Sequence, residues 1–552
     1  MKLRLLAIAA ALLTLTGCAT IPSAGPIGLG PDVASGLNND EVYYSQTGPY
    51  AGASQETILY GFLSSGNGPQ NDYQVAREYL TKDFSNQWQP NQEVLIQEGA
   101  PELFKVSDTE YRVTVGVSGV VDADGRYTDV PVGTKRTSTI KFVKVDGEWR
   151  IDSAPNQTMV IRANFKVLFR QYALYFFDPS LTYLVPEVRW FPSRASTGTR
   201  LMNALLKGPS DWLKPAVVNV IPLGTKLNIN SVTVEDGVAQ VDLSSLALRV
   251  PQAKRSLMKS QIAATLEQLA DVTNVEISIQ RTPQTIDQYL DGQPPSLGSS
   301  PVALTDSGLS RLNASGAQAV VGTGSQVNAL HPTDFAYSQS QNLVAYVTST
   351  GVRTYKLDLF NDVGRLVDSR PNQLTPGIDP KGSVWTLSSS EGAPFVVTGA
   401  KRIVLHNTWV AGTPVSFALS PEGARVAAVY LVGKVKVTYV FPIERNKSGD
   451  PVSLGKPLQV TAAPINSDHV TWADAVTLAV LAPGSPTGFV PCLVTVGGQL
   501  NVATSIDAAK SVSVNGTGQL YILQPDGNVV ESRGSSWVTL AQNVLALHVS
   551  TD

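Results

Sequence analysis

One thiol in this chain is placed to do chemistry. Cys18 closes the tetrad Leu15-Thr16-Gly17-Cys18, behind a cationic start with Lys2 and Arg4 and an apolar run from Leu5 to Leu15. A charged start, an apolar core short of the roughly 20 residues a bilayer span needs, and small residues at a cut site describe an export signal. Export alone has no use for a cysteine. Lipoprotein processing does, because the thiol is the nucleophile that takes a diacylglyceryl group, after which cleavage between Gly17 and Cys18 frees an amine for N-acylation. A single acyl chain binds marginally, whereas two, at about 0.8 kcal/mol per buried methylene, hold a protein stably on a membrane. The expectation is a chain hung by lipid on the outer face of the cell membrane, with residues 1–17 removed.

Other reactive residue types are scattered. Cys492, the second of 2 cysteines, sits in the apolar run GFVPCLVTV and reads as a buried free thiol. His331, His406, His469 and His548 lie far apart and outside any close ligand spacing, so no metal site is expected. Ser256-Leu257-Met258-Lys259 matches the S-x-x-K of penicillin-recognising enzymes, and Ser467-Asp468-His469 faintly resembles their S-D-N. No K-T-G accompanies them, and the first motif falls on an amphipathic helical pattern. Asp122-Ala123-Asp124-Gly125 begins like a calcium loop but lacks the later ligands and the closing Glu, which leaves a turn. With no nucleophile elbow, phosphate loop or dinucleotide fingerprint, the chain reads as a non-enzyme without cofactor. A formal net charge of −3, with sixteen basic and sixteen acidic residues in 301–552, offers no basic face to nucleic acid.

The elements that carry these residues fall into several units, as the length requires at roughly 150 residues per domain. Residues 18–50, rich in Gly, Pro, Ser and Asn, read as a flexible tether behind the lipidated cysteine. In 51–160, two helical patterns (Ile58-Leu59-Phe62-Leu63 and Val75-Ala76-Tyr79-Leu80) precede alternating strands (LFKV, YRVTVGVSGVV, TSTIKFVKV) with turns at Asp124-Gly125 and Asp146-Gly147. Helices first and a curled antiparallel sheet second resemble the NTF2-like cone, an α+β fold. Its carboxylates from Asp146 to Asp152 could line a pocket but suit plain hairpin turns better.

Residues 165–285 give two strands, a helix through Leu201, Leu205 and Leu206 stopped by Gly208-Pro209, a hairpin with Asp236-Gly237 at its tip, a second helix through Met258 and Ile262, and the strand VEISI. That order, with LLKGP, IPLGT, GVAQVDLSS and QIAATL, resembles the α+β GerMN domain of envelope and sporulation proteins. Residues 286–312 read as a linker. Beyond, in 313–552, a strand, a turn and a strand recur about every 40 residues, which predicts an all-β propeller of five to seven blades, closed near Gln318 to Thr323 or by the C-terminal strand. Trp385, Trp409, Trp472 and Trp537 then read as packing between blades, an exposed one being a contact candidate.

Lipobox, cone, GerMN-like unit and propeller in that order, with CATIPSAGPI starting at the acylated cysteine, resemble the LpqB family of actinobacterial lipoproteins along nearly the whole chain. The resemblance implies an accessory regulator of an MtrA–MtrB type two-component system. Its partner would be the extracytoplasmic domain of the MtrB-like sensor histidine kinase, with effects on cell-wall homeostasis and division. The other expectation is a binder of envelope polymer or a small ligand, through the cone pocket or the propeller channel.

Overall fold

The computed structural model describes residues 47–551, save 195, 287–291, 314, 360–363, 391–392, 406–408, 447 and 485–487. Cys18, the cleavage site, the tether before residue 47 and His406 lie outside the described residues.

The N-terminal unit puts helices α1 (Gln55–Ser64), α2 (Gln74–Glu78) and α3 (Lys82–Gln87) against one sheet. Ser54 and Thr81 cap α1 and α3 by accepting from the backbone N–H groups of Thr57 and Phe84. The sheet comprises β1 (Glu93–Ser107), β2 (Glu110–Asp122), β3 (Tyr127–Asp129), β4 (Lys135–Val145), β5 (Glu148–Ser153) and β6 (Thr158–Ile161), in the order β5-β4-β2-β1-β6 with β3 on β2. Alternation along β2 sends Tyr111, Val113, Val115 and Val117 into a core with Ile58, Leu59, Phe62 and Trp88, while Arg112 points outward. β1 begins well before the LFKV pattern, because Glu93 to Glu98 reads as a short mixed run until its pairing with β2 is known.

A short helix, α4 (Arg162–Leu168), leads into β7 (Phe169–Phe177) and β8 (Leu184–Pro192), a long antiparallel pair. Helices α5 (Thr197–Lys207) and α6 (Arg255–Leu266) pack with β7 over a second sheet made of β9 (Thr233–Glu235), β10 (Val238–Leu243), β11 (Asn274–Ile279) and β12 (Thr282–Pro283). Gly208 ends α5 at φ 93°, and Asp236 and Gly237 turn the β9–β10 hairpin at φ 49° and 80°, values the small side chains tolerate.

Among the described residues the C-terminal sheets form six blades of four or five strands. Their inner strands are Ala546–His548, Asp334–Ser338, Gly377–Ile378, Thr413–Leu419, Val470–Trp472 and Ser511–Val514, in blades one to six. Each touches the next and the sixth touches the first, which closes the ring. Closure is by the C-terminal strand: Ala546–His548 pairs with Val302–Thr305, so blade one is built from both ends of the domain. The boundary expected from composition is corrected here. Val302–Thr305 and all of Gly308–Asn313 but its last residue fall inside 286–312 yet belong to blade one, since a short apolar run amid Pro, Gly and Ser becomes a strand only when the distant C-terminus pairs with it. Trp385 and Trp472 are buried between blades, Trp537 is half-buried, and Trp409 is exposed with its indole N–H donated to the Leu454 carbonyl at 3.0 Å.

Candidate functional site

Two places gather chemistry that the sequence disperses. The first is the mouth of the propeller channel. After four of the inner strands comes the same tight turn, headed by Ser338, Asp379, Ser420 and Asn515; these side chains accept backbone N–H groups in at least three of them. Counting back four residues gives Asp334, Thr375, Ser416 and Ser511, one level of the ring, which His548 and His469 join from blades one and five. Asp334 accepts from His548 Nε2 at 2.6 Å and from the Thr375 hydroxyl, and the Ser416 hydroxyl accepts from the Val470 backbone N–H at 3.2 Å.

Burial pushes the Asp334 carboxyl up. The charge and hydrogen bond of His548, with bonds from Thr375 and the Phe335 N–H, outweigh that and hold it below the usual carboxylate range. His469 goes the other way: burial, then the neighbouring His548, push it down to about 4, and its enclosed Nδ1 has no hydrogen-bond partner. The ring thus presents one fixed anion beside one imidazole kept neutral. At the mouth, a cleft of about 440 Å³ is lined by Asp306, Asn328, His331, Thr333, Lys510 and Leu545, which lead into the inner strands of blades two, six and one or neighbour them. The corresponding space in the N-terminal unit, between Phe62, Trp88, Ile140 and Met159, is about 20 Å³, room for one water.

The second place is β8, where three domains meet. All nine of its residues are buried, including Glu187 and Arg189. Glu187 accepts from Arg189 at 3.1 Å and from Ser210. Pro186 offers its carbonyl to Arg425 of blade four at 3.3 Å, and the Trp190 indole donates to the Gly497 carbonyl of blade five at 3.2 Å. On the other side the Trp190 N–H donates to the Gly125 carbonyl at 2.7 Å, and Lys207 pairs with Asp124. An apolar cluster of Val94, Ile96, Val121, Phe165, Val188 and Trp190 crosses the same junction. The calcium-like loop is therefore a domain contact: Asp122 Oδ1 accepts the N–H groups of Asp124 and Arg126 at 2.8 Å, and Arg126 and Lys207 take its carboxylates.

The S-x-x-K and S-D-H motifs lie in different domains. Ser256 and Lys259 sit half-buried on α6, with Lys259 near Glu267. Ser467 is occupied within blade five, donating to the His469 carbonyl and accepting from the His469 and Leu481 N–H groups. Cys492 is buried in blade five, where burial pushes its thiol up. Among the described residues no three metal-ligating side chains converge, and no helix is long and apolar enough to cross a membrane.

Three family models match in sequence: the lipoprotein LpqB N-terminal domain over residues 48–166, the sporulation and spore germination (GerMN) domain over 173–285, and the lipoprotein LpqB β-propeller domain over 307–546. Lipoprotein LpqB of Cutibacterium acnes is 24% identical, with 98% of each chain aligned. The chain belongs to the LpqB lipoprotein family. LpqB of Nocardia farcinica is 33% identical over 48% of this chain and 45% of that one, and LpqB of Thermobifida fusca 29% over 47% and 43%. The chain thus spans less than half the length of those two relatives. TolB from Acinetobacter baumannii shares 14% identity at a TM-score of 0.36, covering 46% of this chain and 68% of its own; the first GerMN domain of GerM from Bacillus subtilis shares 22% at 0.19, covering 22% and 97%. The family and domain descriptions name no enzyme.

Proposed function

We propose that this LpqB-family lipoprotein is an accessory regulator anchored by acylated Cys18 on the extracytoplasmic face of the cell membrane, acting on the extracytoplasmic domain of an MtrB-type sensor histidine kinase. Cell-wall homeostasis and division are the expected outputs of that MtrA–MtrB pathway. The observation that carries the reading is the junction at β8, which ties three binding-type domains, the first of them NTF2-like in its helix and sheet order, into one body. A rigid body on a lipid anchor suits contact with a neighbouring membrane protein: confinement beside the membrane raises effective concentration, so weak affinity suffices. Catalysis has no comparable support, since Ser256 and Lys259 of S-x-x-K lie on α6 and His469 and His548 belong to the ring.

The test is co-reconstitution of the full mature chain and the kinase in vesicles. Autophosphorylation should change when the chain is present, and Ser256→Ala should leave that change intact. No change at any surface density of the chain would refute the reading. A second reading, capture of a small envelope ligand, is favoured by the 440 Å³ cleft with Lys510, His331 and Asp306 at the propeller mouth. The filled core of the N-terminal unit does not favour it there.

A further inference from the structure

The N-terminal unit exposes apolar side chains on the outer face of two neighbouring hairpins of its sheet. β1 and β2 turn at Asp108–Thr109, and the Phe142 N–H donates to the Thr109 carbonyl at 2.8 Å, which sets that tip beside β4; the β4–β5 hairpin continues past it to its own turn at Asp146–Gly147. Tyr111, Val113, Ile140 and Phe142 face the core. Strand alternation therefore turns Phe104, Val106, Val143 and Val145 outward, where they are 63%, 42%, 37% and 43% exposed. Apolar side chains left exposed along two neighbouring hairpins, on a protein with well-filled cores, call for a covering surface.

The chain's path says which. The segment arriving from Cys18 comes in at Thr47 and runs to these tips: the Gly52 N–H donates to Glu148 at 2.9 Å, and Gln55 Nε2 donates to the Asp108 carbonyl at 2.8 Å. Tyr50, 64% exposed, lies between. Residues 19–46 are all that separate Cys18 from this entry. The described chain nearest the anchored end therefore touches both hairpins that carry the exposed side chains. Basic and acidic residues nearly balance here, Lys105, Arg112, Lys141, Lys144 and Arg150 against Asp108, Glu110, Asp146 and Glu148, which makes apolar contact the driving term. Tyrosine and the long lysine stems suit the headgroup level.

We propose that the outer face of the β1–β2 and β4–β5 tips, with Tyr50, docks on the phospholipid leaflet that holds the anchor, inserting Phe104, Val106 and Val145 at the boundary of headgroups and acyl chains. This rests on Cys18 being the anchored end, and the test separates the two. The mature chain from residue 18 is coupled through Cys18 to a maleimide-headgroup lipid in phosphatidylcholine vesicles, Cys492 being buried, so attachment does not depend on native acylation. Amide hydrogen exchange is then compared with that of the same chain coupled to soluble maleimide-polyethylene glycol.

Residues 104–109 and 143–148 should exchange several-fold more slowly on vesicles, at low and high salt alike. The turn at Val132, 93% exposed and beside Val117, roughly 23 Å along β2 from the tip at 3.3 Å per residue, should not change. Phe104→Ser with Val145→Ser should abolish the protection while leaving the thermal midpoint unchanged, because both side chains face solvent in the free protein. Unchanged exchange at the tips, equal slowing at Val132, or protection that appears only when a kinase domain is added would overturn the proposal.

Discussion

Replacing Arg425 with Ala removes a cation that three elements share. Its side chain is 1% exposed and its Nε donates to Glu422 Oε1 at 2.7 Å; its Nη atoms donate to the carbonyls of Ala475 at 2.6 Å and Pro186 at 3.3 Å, and its plane lies 4.8 Å from the Trp472 ring. Glu422 is fully buried, and among the described residues only Arg425 and the Ser420 hydroxyl bond it, its Oε2 having no partner there. Loss of the guanidinium leaves a buried carboxylate on one neutral donor, a change that costs about 3–5 kcal/mol. The two stranded carbonyls and the lost cation–π contact add to this, but not independently, so about 5 kcal/mol is expected in all. In a unit of about 250 residues, where each kcal/mol moves the midpoint by roughly 2–4 °C, the propeller transition should fall by about 10–20 °C in calorimetry. Exchange at β8 should rise with it, because Pro186 loses its bond to blade four. Glu422→Leu with Arg425→Met removes both charges and should recover most of the loss. A single substitution costing under about 1 kcal/mol, or a double costing more than the single, would refute the claim that this pair holds propeller and GerMN domain together.

Cys18→Ala should move the mature protein from the membrane fraction to the soluble one, and full retention on the membrane would contradict the anchor. Cys492 should react slowly with a thiol reagent in the native chain and fast in denaturant, since it is buried and its thiol is pushed up. His469, pushed down to about 4 from 6.5, takes up its proton more readily unfolded than folded. Stability from this group is therefore complete above pH 6.5 and is lost as pH falls towards 4, by on the order of 3 kcal/mol. His469→Gln should flatten the dependence of the denaturation midpoint on pH across that window, and an unchanged slope would assign the acid sensitivity elsewhere.

Much of the architecture is legible along the chain because it is local. Period-two and helical spacings mark the strands and helices, Gly208 and Asp236-Gly237 mark where they stop and turn, and the 40-residue recurrence marks blades. The lipobox is legible for the same reason: four contiguous residues behind an apolar run carry the whole signal. What the tertiary structure alone decides is which distant segments meet. Val302–Thr305 resembles linker until Ala546–His548 pairs with it, and the number of blades follows from that closure. Asp334, His469 and His548 are unremarkable polar residues in strands until ring geometry brings them to one level; the signal that could have found them is the turn recurring four residues after Asp334, Thr375, Ser416 and Ser511. Nothing adjacent in sequence to Glu187, Arg189 or Arg425 tells that these charges will be buried, or that β8 will be covered on every side. Burial and ion pairing are properties of the packed chain, fixed by contacts hundreds of residues apart, and no local period encodes them.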